Sequence, residues 1–138
     1  MPPLKKIKPI ACFLFVALVV ASCDNYNKLL KSTDYEMKFG KAKEFYDKKQ
    51  YIKSSQLYEE LIPVMRGTDK AEEVAYYHAW SEYHLGDFYL SQYYFKDYTR
   101  RYSDGKHAEE CHFMNALCYY LTSPNYRLDQ TNTKSAIK

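Results

Sequence analysis

The sequence predicts an all-α fold, an α-solenoid of stacked helical hairpins about two and a half units long. Three observations carry that expectation. The first is a fixed register of 37 residues, obeyed by Phe39, Tyr76 and Phe113, by Ala42, Ala79 and Ala116, by Tyr46, Tyr83 and Tyr120, and by Glu36, Glu73 and Glu110. The second is the spacing inside a unit: Phe39, Ala42 and Tyr46 stand at i, i+3 and i+7, one stripe of an α-helix. The third is composition. With 17% aromatic residues and only 4 Gly and 5 Pro in 138 residues, the chain is too apolar and too unbroken to be disordered. Repeats of this length are units that bury their apolar faces only on their neighbours.

The first 22 residues read as an address. Lys5, Lys6 and Lys8 precede Ile10 to Ser22, a run of 13 uncharged, mostly apolar residues. A spanning helix takes about 20, so a basic start, a short apolar run and small residues at its end predict a secretory signal over 1–22. A short membrane anchor is the other reading of the same run. Taking those three lysines from the 20 basic residues leaves 17 against 17 acidic ones. A neutral remainder lacks the basic field that drives nucleic-acid binding, so no nucleic-acid partner is expected.

Residues 23–33 are predicted to be a linker. Val20-Ala21-Ser22-Cys23 resembles the lipobox of bacterial lipoproteins. That resemblance implies cleavage before Cys23, a diacylglycerol on its sulfur and an acyl chain on its amine, which together anchor a chain to a bilayer where one acyl chain is marginal. Asp24 resembles an inner-membrane retention signal of enteric lipoproteins, so the leaflet stays open. Cys12 leaves with the signal. Cys111 and Cys118 are seven residues apart in a helical stretch, about 10.5 Å between Cα atoms, beyond disulfide reach, and are expected to be unpaired and buried.

The repeat domain occupies 34–138 as units 34–70, 71–107 and an incomplete 108–138. In the first, a helix through Phe39 and Tyr46 turns at Lys48-Lys49-Gln50, and a second helix runs from about Tyr51 to Ile62, stopping near Pro63. In the second, the turn is Leu85-Gly86-Asp87 and the second helix runs from about Phe88 to Tyr102. The third has a longer loop around Pro124-Asn125, with its second helix starting near Asp129. Small residues at 42, 79 and 116, and at Ser54 and Ser91, let paired helices approach closely. The pattern, with Gly86-Asp87-Phe88 at a turn, resembles the tetratricopeptide repeat. The incomplete third unit suggests truncation, or a partner as cap, and marginal stability for the isolated chain.

Three stretches add a second resemblance: Tyr26 to Tyr35, Gly67 to Glu73 and Arg127 to Lys134. With the lipobox before them and helical repeats between, the mature chain from Cys23 is similar to the N-terminal part of the BamD family, the lipid-anchored component of the outer-membrane β-barrel assembly machinery. The resemblance implies a non-enzymatic protein on the periplasmic face of the outer membrane. Its partners would be the barrel insertase and other assembly components, unfolded outer-membrane proteins, and the bilayer through its acyl chains. The tetratricopeptide alignment puts Tyr77, Trp80, His84, Met114, Leu117 and Leu121 on the faces that line a peptide groove, although each also fits a core position. Phe39, Tyr46, Tyr76, Tyr83, Phe113 and Tyr120 are assigned to packing between helices.

Other classes have weaker signals. A lipid-anchored receptor for glycans or other solutes on a transporter is the main alternative, and a cell-wall enzyme the third. No phosphate loop, nucleophile elbow or His-Glu-x-x-His occurs. Glu72-Glu73 and Glu109-Glu110 are adjacent on helices, so each pair diverges by about 100° and suits the helix dipole better than acid/base chemistry. His107 and Cys111 share a helical face, but two ligands do not make a zinc site. The expectation is no catalytic residue, no metal and no cofactor beyond the lipid on Cys23.

Overall fold

The computed structural model describes residues 26–137, so the signal segment, Cys23 and Asp24 lie outside the described residues. The chain divides into a unit ending at Asp34 and a second unit from Tyr35. In the first, residues 26–31 form helix α1 within what the sequence marks as linker. Tyr26 to Lys31 contains no Gly or Pro to prevent it. The Asp34 N–H then donates to Ser32 Oγ at 3.1 Å.

The second unit holds α2 (Tyr35–Asp47), α3 (Tyr51–Val64), α4 (Ala71–Leu85), α5 (Phe88–Arg101), α6 (Ala108–Leu121) and α7 (Thr131–Ala136). Each helix packs on the next, and α2 also reaches α4, so first helices neighbour first helices. Among the described residues there is no strand. This is the all-α stack of hairpins that the register predicts, with unit boundaries at Ala71 and Ala108. One boundary differs: α3 runs through Pro63 to Val64. Proline in a last turn forfeits one hydrogen bond of a helix that is ending, so the helix carries on past it. The closing helix α7 starts at Thr131, where Asp129 Oδ1 accepts from the Thr131 N–H at 3.2 Å.

The turns repeat in conformation as well as position. Lys49 and Gly86, one register apart, both take left-handed backbone, with φ of 58° and 80°. Asp87 then caps α5 by accepting from the Leu90 N–H at 3.0 Å. At the other end of the hairpins a second glycine stands close to its neighbours. A Cβ on Gly105 would come within 2.6 Å of Glu72 Oε1, a carboxylate that also accepts from Tyr98 OH at 2.5 Å.

Close helix contact is built on small residues. Ala42 and Ala79 are fully buried, as are Ser54 and Ser91. Ser54 Oγ donates to the Ala42 carbonyl at 3.0 Å, and Ser91 Oγ to the Ala79 carbonyl at 3.1 Å. A serine is tolerated at this position because its hydroxyl is satisfied by the helix it packs on. Around these contacts Leu57, Tyr58, Leu61, Val74, Phe95 and Tyr98 fill the interior. Cys111 and Cys118 are unpaired and buried, as their spacing predicts. Burial pushes the Cys111 thiol up to about 12.

Candidate functional site

The 37-residue register puts one face of each first helix in line. On α2 it carries Glu36, Phe39, Lys43 and Tyr46; on α4 Glu73, Tyr76, Trp80 and Tyr83; on α6 Glu110, Phe113, Leu117 and Tyr120. Positions i, i+3, i+7 and i+10 keep to one side of a helix. Polar ties join the three faces across the stack. Lys43 Nζ lies 2.5 Å from Glu73 Oε1, and Tyr76 OH donates to Glu110 Oε2 at 3.0 Å. The hydrogen bond to Glu73 holds the Lys43 ammonium above its ordinary value, and burial together with Glu110 does the same for the Tyr76 phenol. At the outer end Lys70 pairs with Glu36 and lies 5.3 Å from the Phe39 ring centre.

Between the ties runs a ladder of rings. Tyr76 meets Trp80 edge-on at 6.3 Å, Trp80 meets Tyr83 at 5.5 Å, and Tyr83 meets Phe88 at 5.4 Å between centroids. Trp80 rests on Phe95 of the core at 5.6 Å, and His107 stacks on Tyr76 at 4.0 Å. A cleft of about 440 Å³ adjoins the wall, lined by Lys43, Asp69, Glu72, Glu73, Tyr77 and Lys106 together with His107. Its walls carry both signs of charge beside an aromatic ring. The ladder offers ring faces and edges in series, suited to stacking on side chains or other flat apolar groups rather than to bond-making chemistry.

The six groove residues read from the sequence do not share one surface. Trp80 and Leu117 lie on the wall, half-buried against the core. Tyr77 packs at the joint between the first two units, 4.8 Å from Tyr46 and 6.0 Å from Tyr58. Met114 is 4% exposed and belongs to the core. His84 stacks on Tyr51 at 4.3 Å by the first turn, and Leu121 lines a notch by the second. A helical residue next in sequence to a wall position points about 100° away, and Tyr77 and Met114 each follow a wall residue by one. The packing assignment fails in the opposite direction for two residues: Phe113 and Tyr120 are 65% and 67% exposed. In the second unit Tyr76 leans on Tyr98 of its second helix and on His107, the last residue before α6. The six-residue α7 supplies no such cover for Phe113. The register itself was the signal for the wall, since it groups all twelve residues without any assumption about a groove.

The adjacent carboxylates and the His107–Cys111 pair singled out from the sequence each take up separate contacts. Glu72 turns to Tyr98 while Glu73 turns to Lys43, so the adjacent carboxylates serve different contacts. His107 Nδ1 lies 3.5 Å from Glu110 while Cys111 is fully buried, so the pair does not converge. A buried polar group sits deeper: His78 Nε2 is 3.7 Å from Glu82 Oε1, which accepts from Ser55 Oγ. The His78 ring meets Tyr94 at 4.1 Å, and Glu82 is buried as well, which pushes its carboxyl up. Compared with known proteins, the chain matches no protein-family model and no curated sequence.

Proposed function

We propose that this chain is a non-catalytic, lipid-anchored scaffold on the periplasmic face of the outer membrane, where it receives unfolded β-barrel proteins and docks the barrel-assembly insertase. The observation that carries the reading is the row of aromatic positions on one face of three first helices, tied across the stack by Lys43–Glu73 and Tyr76–Glu110 and most open at Phe113 and Tyr120. Barrel proteins are built of strands that alternate apolar and polar residues, with aromatic girdles at the two ends of the apolar band. An extended segment of that kind presents apolar side chains at every second position, rings among them near its ends, and the wall presents rings and an indole to meet them. Lipid at Cys23 would keep the scaffold at the membrane where barrels are built. The likeness of the three stretches from Tyr26, Gly67 and Arg127 to the BamD family points the same way.

Affinity purification of the native protein from detergent-solubilised envelopes, with mass spectrometry of what co-purifies, tests the reading. Stoichiometric recovery of a large β-barrel protein with periplasmic repeats is expected. Recovery of a sugar transporter, joined to saturable glycan binding, would overturn it in favour of the solute-receptor reading.

A further inference from the structure

Arginine gathers at the end of the hairpins opposite the turns, where one unit passes to the next. Arg66 stands just past the end of α3, and Arg100 and Arg101 close α5. The three side chains and Tyr102 line one notch of about 360 Å³. Two successive hairpins therefore bring their cations to the same place. The acid that meets them is Asp97, whose side chain is 13% exposed: its Oδ1 lies 2.6 Å from Arg100 and its Oδ2 2.7 Å from Arg101. Each oxygen holds one guanidinium, and a guanidinium carries five N–H donors, so both keep donors to spare. Arg66 has no carboxylate partner among the described residues.

Other charges at this end leave the excess in place. Over residues 65–70 and 97–106 five basic side chains stand against three acidic ones. Lys70 is taken by Glu36, Asp69 and Lys106 line the cleft beside the aromatic wall, and Asp104 is exposed on the loop after α5. Within the notch three guanidiniums share one carboxylate, an excess of two positive charges. The negative end of a helix dipole accounts for cations at the end of each helix taken alone. It does not account for Arg66 of one hairpin sharing a notch with Arg100 and Arg101 of the next, where like charges repel. We infer that the notch binds a phosphomonoester, its dianion lodged between Arg66 on one side and the Arg100–Arg101 pair on the other, beside Tyr102. A phosphomonoester carries about −1.5 to −2 at neutral pH and three terminal oxygens, which matches the excess charge and offers one oxygen to each guanidinium. A carboxylate brings one charge on two oxygens and leaves part of both unmatched. A lipid headgroup and a soluble phosphate ester share this chemistry. None of the four residues belongs to the aromatic wall, so the notch stands whether or not the barrel-assembly reading does.

The test titrates the full chain, in a non-ionic detergent and a phosphate-free buffer of low salt, with inorganic phosphate followed by phosphorus NMR. Arg66→Gln and Arg101→Gln are titrated beside it. Arg66 is exposed beyond its helix, so Arg66→Gln is expected to keep the parent's helix content and melting temperature, and circular dichroism checks both variants. Saturable binding is expected for the parent, weakened by about tenfold or more in each variant, as for the loss of a charge-assisted contact. Acetate at equal concentration is expected to leave the phosphate bound. Glycerol phosphate and dioctanoyl phosphatidic acid then separate the two sources, each read as the part of binding that Arg66→Gln removes. Tighter binding of the lipid by about tenfold marks a headgroup, and equal binding a soluble ester. Absence of saturable phosphate binding overturns the inference, and so does binding that both variants keep at the parent's strength. Displacement by acetate, joined to binding of a poly-glutamate peptide, also overturns it and gives the notch to an acidic protein segment.

Discussion

Lys49 and Gly86 show how the repeat constrains a single residue. Both close a hairpin in left-handed backbone, with φ of 58° and 80°, but only glycine does so without a Cβ penalty. Lys49→Gly is therefore expected to stabilise the fold by about 0.5–1 kcal/mol, the relieved strain less the added entropy of the unfolded chain, measured by urea denaturation. An unchanged midpoint would show that the turn is not strained. His78 makes a second prediction. Burial holds its imidazole down at about 4, against an ordinary value of 6.5, so the unfolded chain binds the extra proton between those values. Stability from this residue is present above pH 6.5 and is lost as pH falls towards 4, by about 3 kcal/mol at most. Glu82, with its carboxyl pushed up by burial, acts oppositely: its contribution is present at low pH and is lost as pH rises through its folded value. Tyr94, packed against the His78 ring, is also pushed up by burial and stays neutral through this range. Thermal melts from pH 7 to 4 should fall less steeply for His78→Leu than for the parent; parallel curves would count against the assignment.

At the scale of the element, α6 separates packing from display within one helix. Met114 is buried beside Phe95 and Tyr98 in the core cluster, and its neighbour Phe113 faces out. Met114→Ala is expected to cost about 2–5 kcal/mol by chemical denaturation, the range for a buried methionine. Phe113→Ala should stay within about 0.5 kcal/mol, as surface changes do. Under the proposed function the order reverses for binding: Phe113→Ala and Tyr120→Ala should each weaken capture of an aromatic-rich barrel peptide by about tenfold, read by fluorescence anisotropy. A peptide that binds both variants like the parent would remove the wall from the site. The same contrast separates neighbouring residues on the first helices: a shift of one residue turns a side chain by about 100°, so Met114, a groove candidate from sequence, lies in the core while Phe113 faces out.

At the scale of the whole repeat domain, each helix packs chiefly on its sequence neighbours, so stability accumulates along the stack. Cys111 and Cys118 report on that accumulation. Both lie in the cluster that joins α4, α5 and α6, and the thiols are pushed up by burial, so neither is reactive without opening. Alkylation mapped by peptide mass spectrometry should be slower for both in buffer than in denaturant by about a hundredfold or more, and the two should react together. Prompt labelling of either thiol in buffer would show that α6 opens on its own.

The all-α class, the 37-residue unit, the hairpin turns and the burial of Ala42, Ala79, Cys111 and Cys118 were legible in the sequence, because each follows from spacing along a helix and from the recurrence of small residues. The continuation of α3 past Pro63 was not, since a helix boundary depends on one hydrogen bond among many. Nor was the exposure of Phe113 and Tyr120. Recurrence states that a position is equivalent to its counterparts, but burial depends on what lies across from it. The cover that Tyr76 finds in Tyr98 and His107 is not supplied to Phe113 by the six-residue α7. Periodicity is a property of one chain direction and can be read from letters. Which face is covered is a property of neighbours in three dimensions, and only the packed helices decided it.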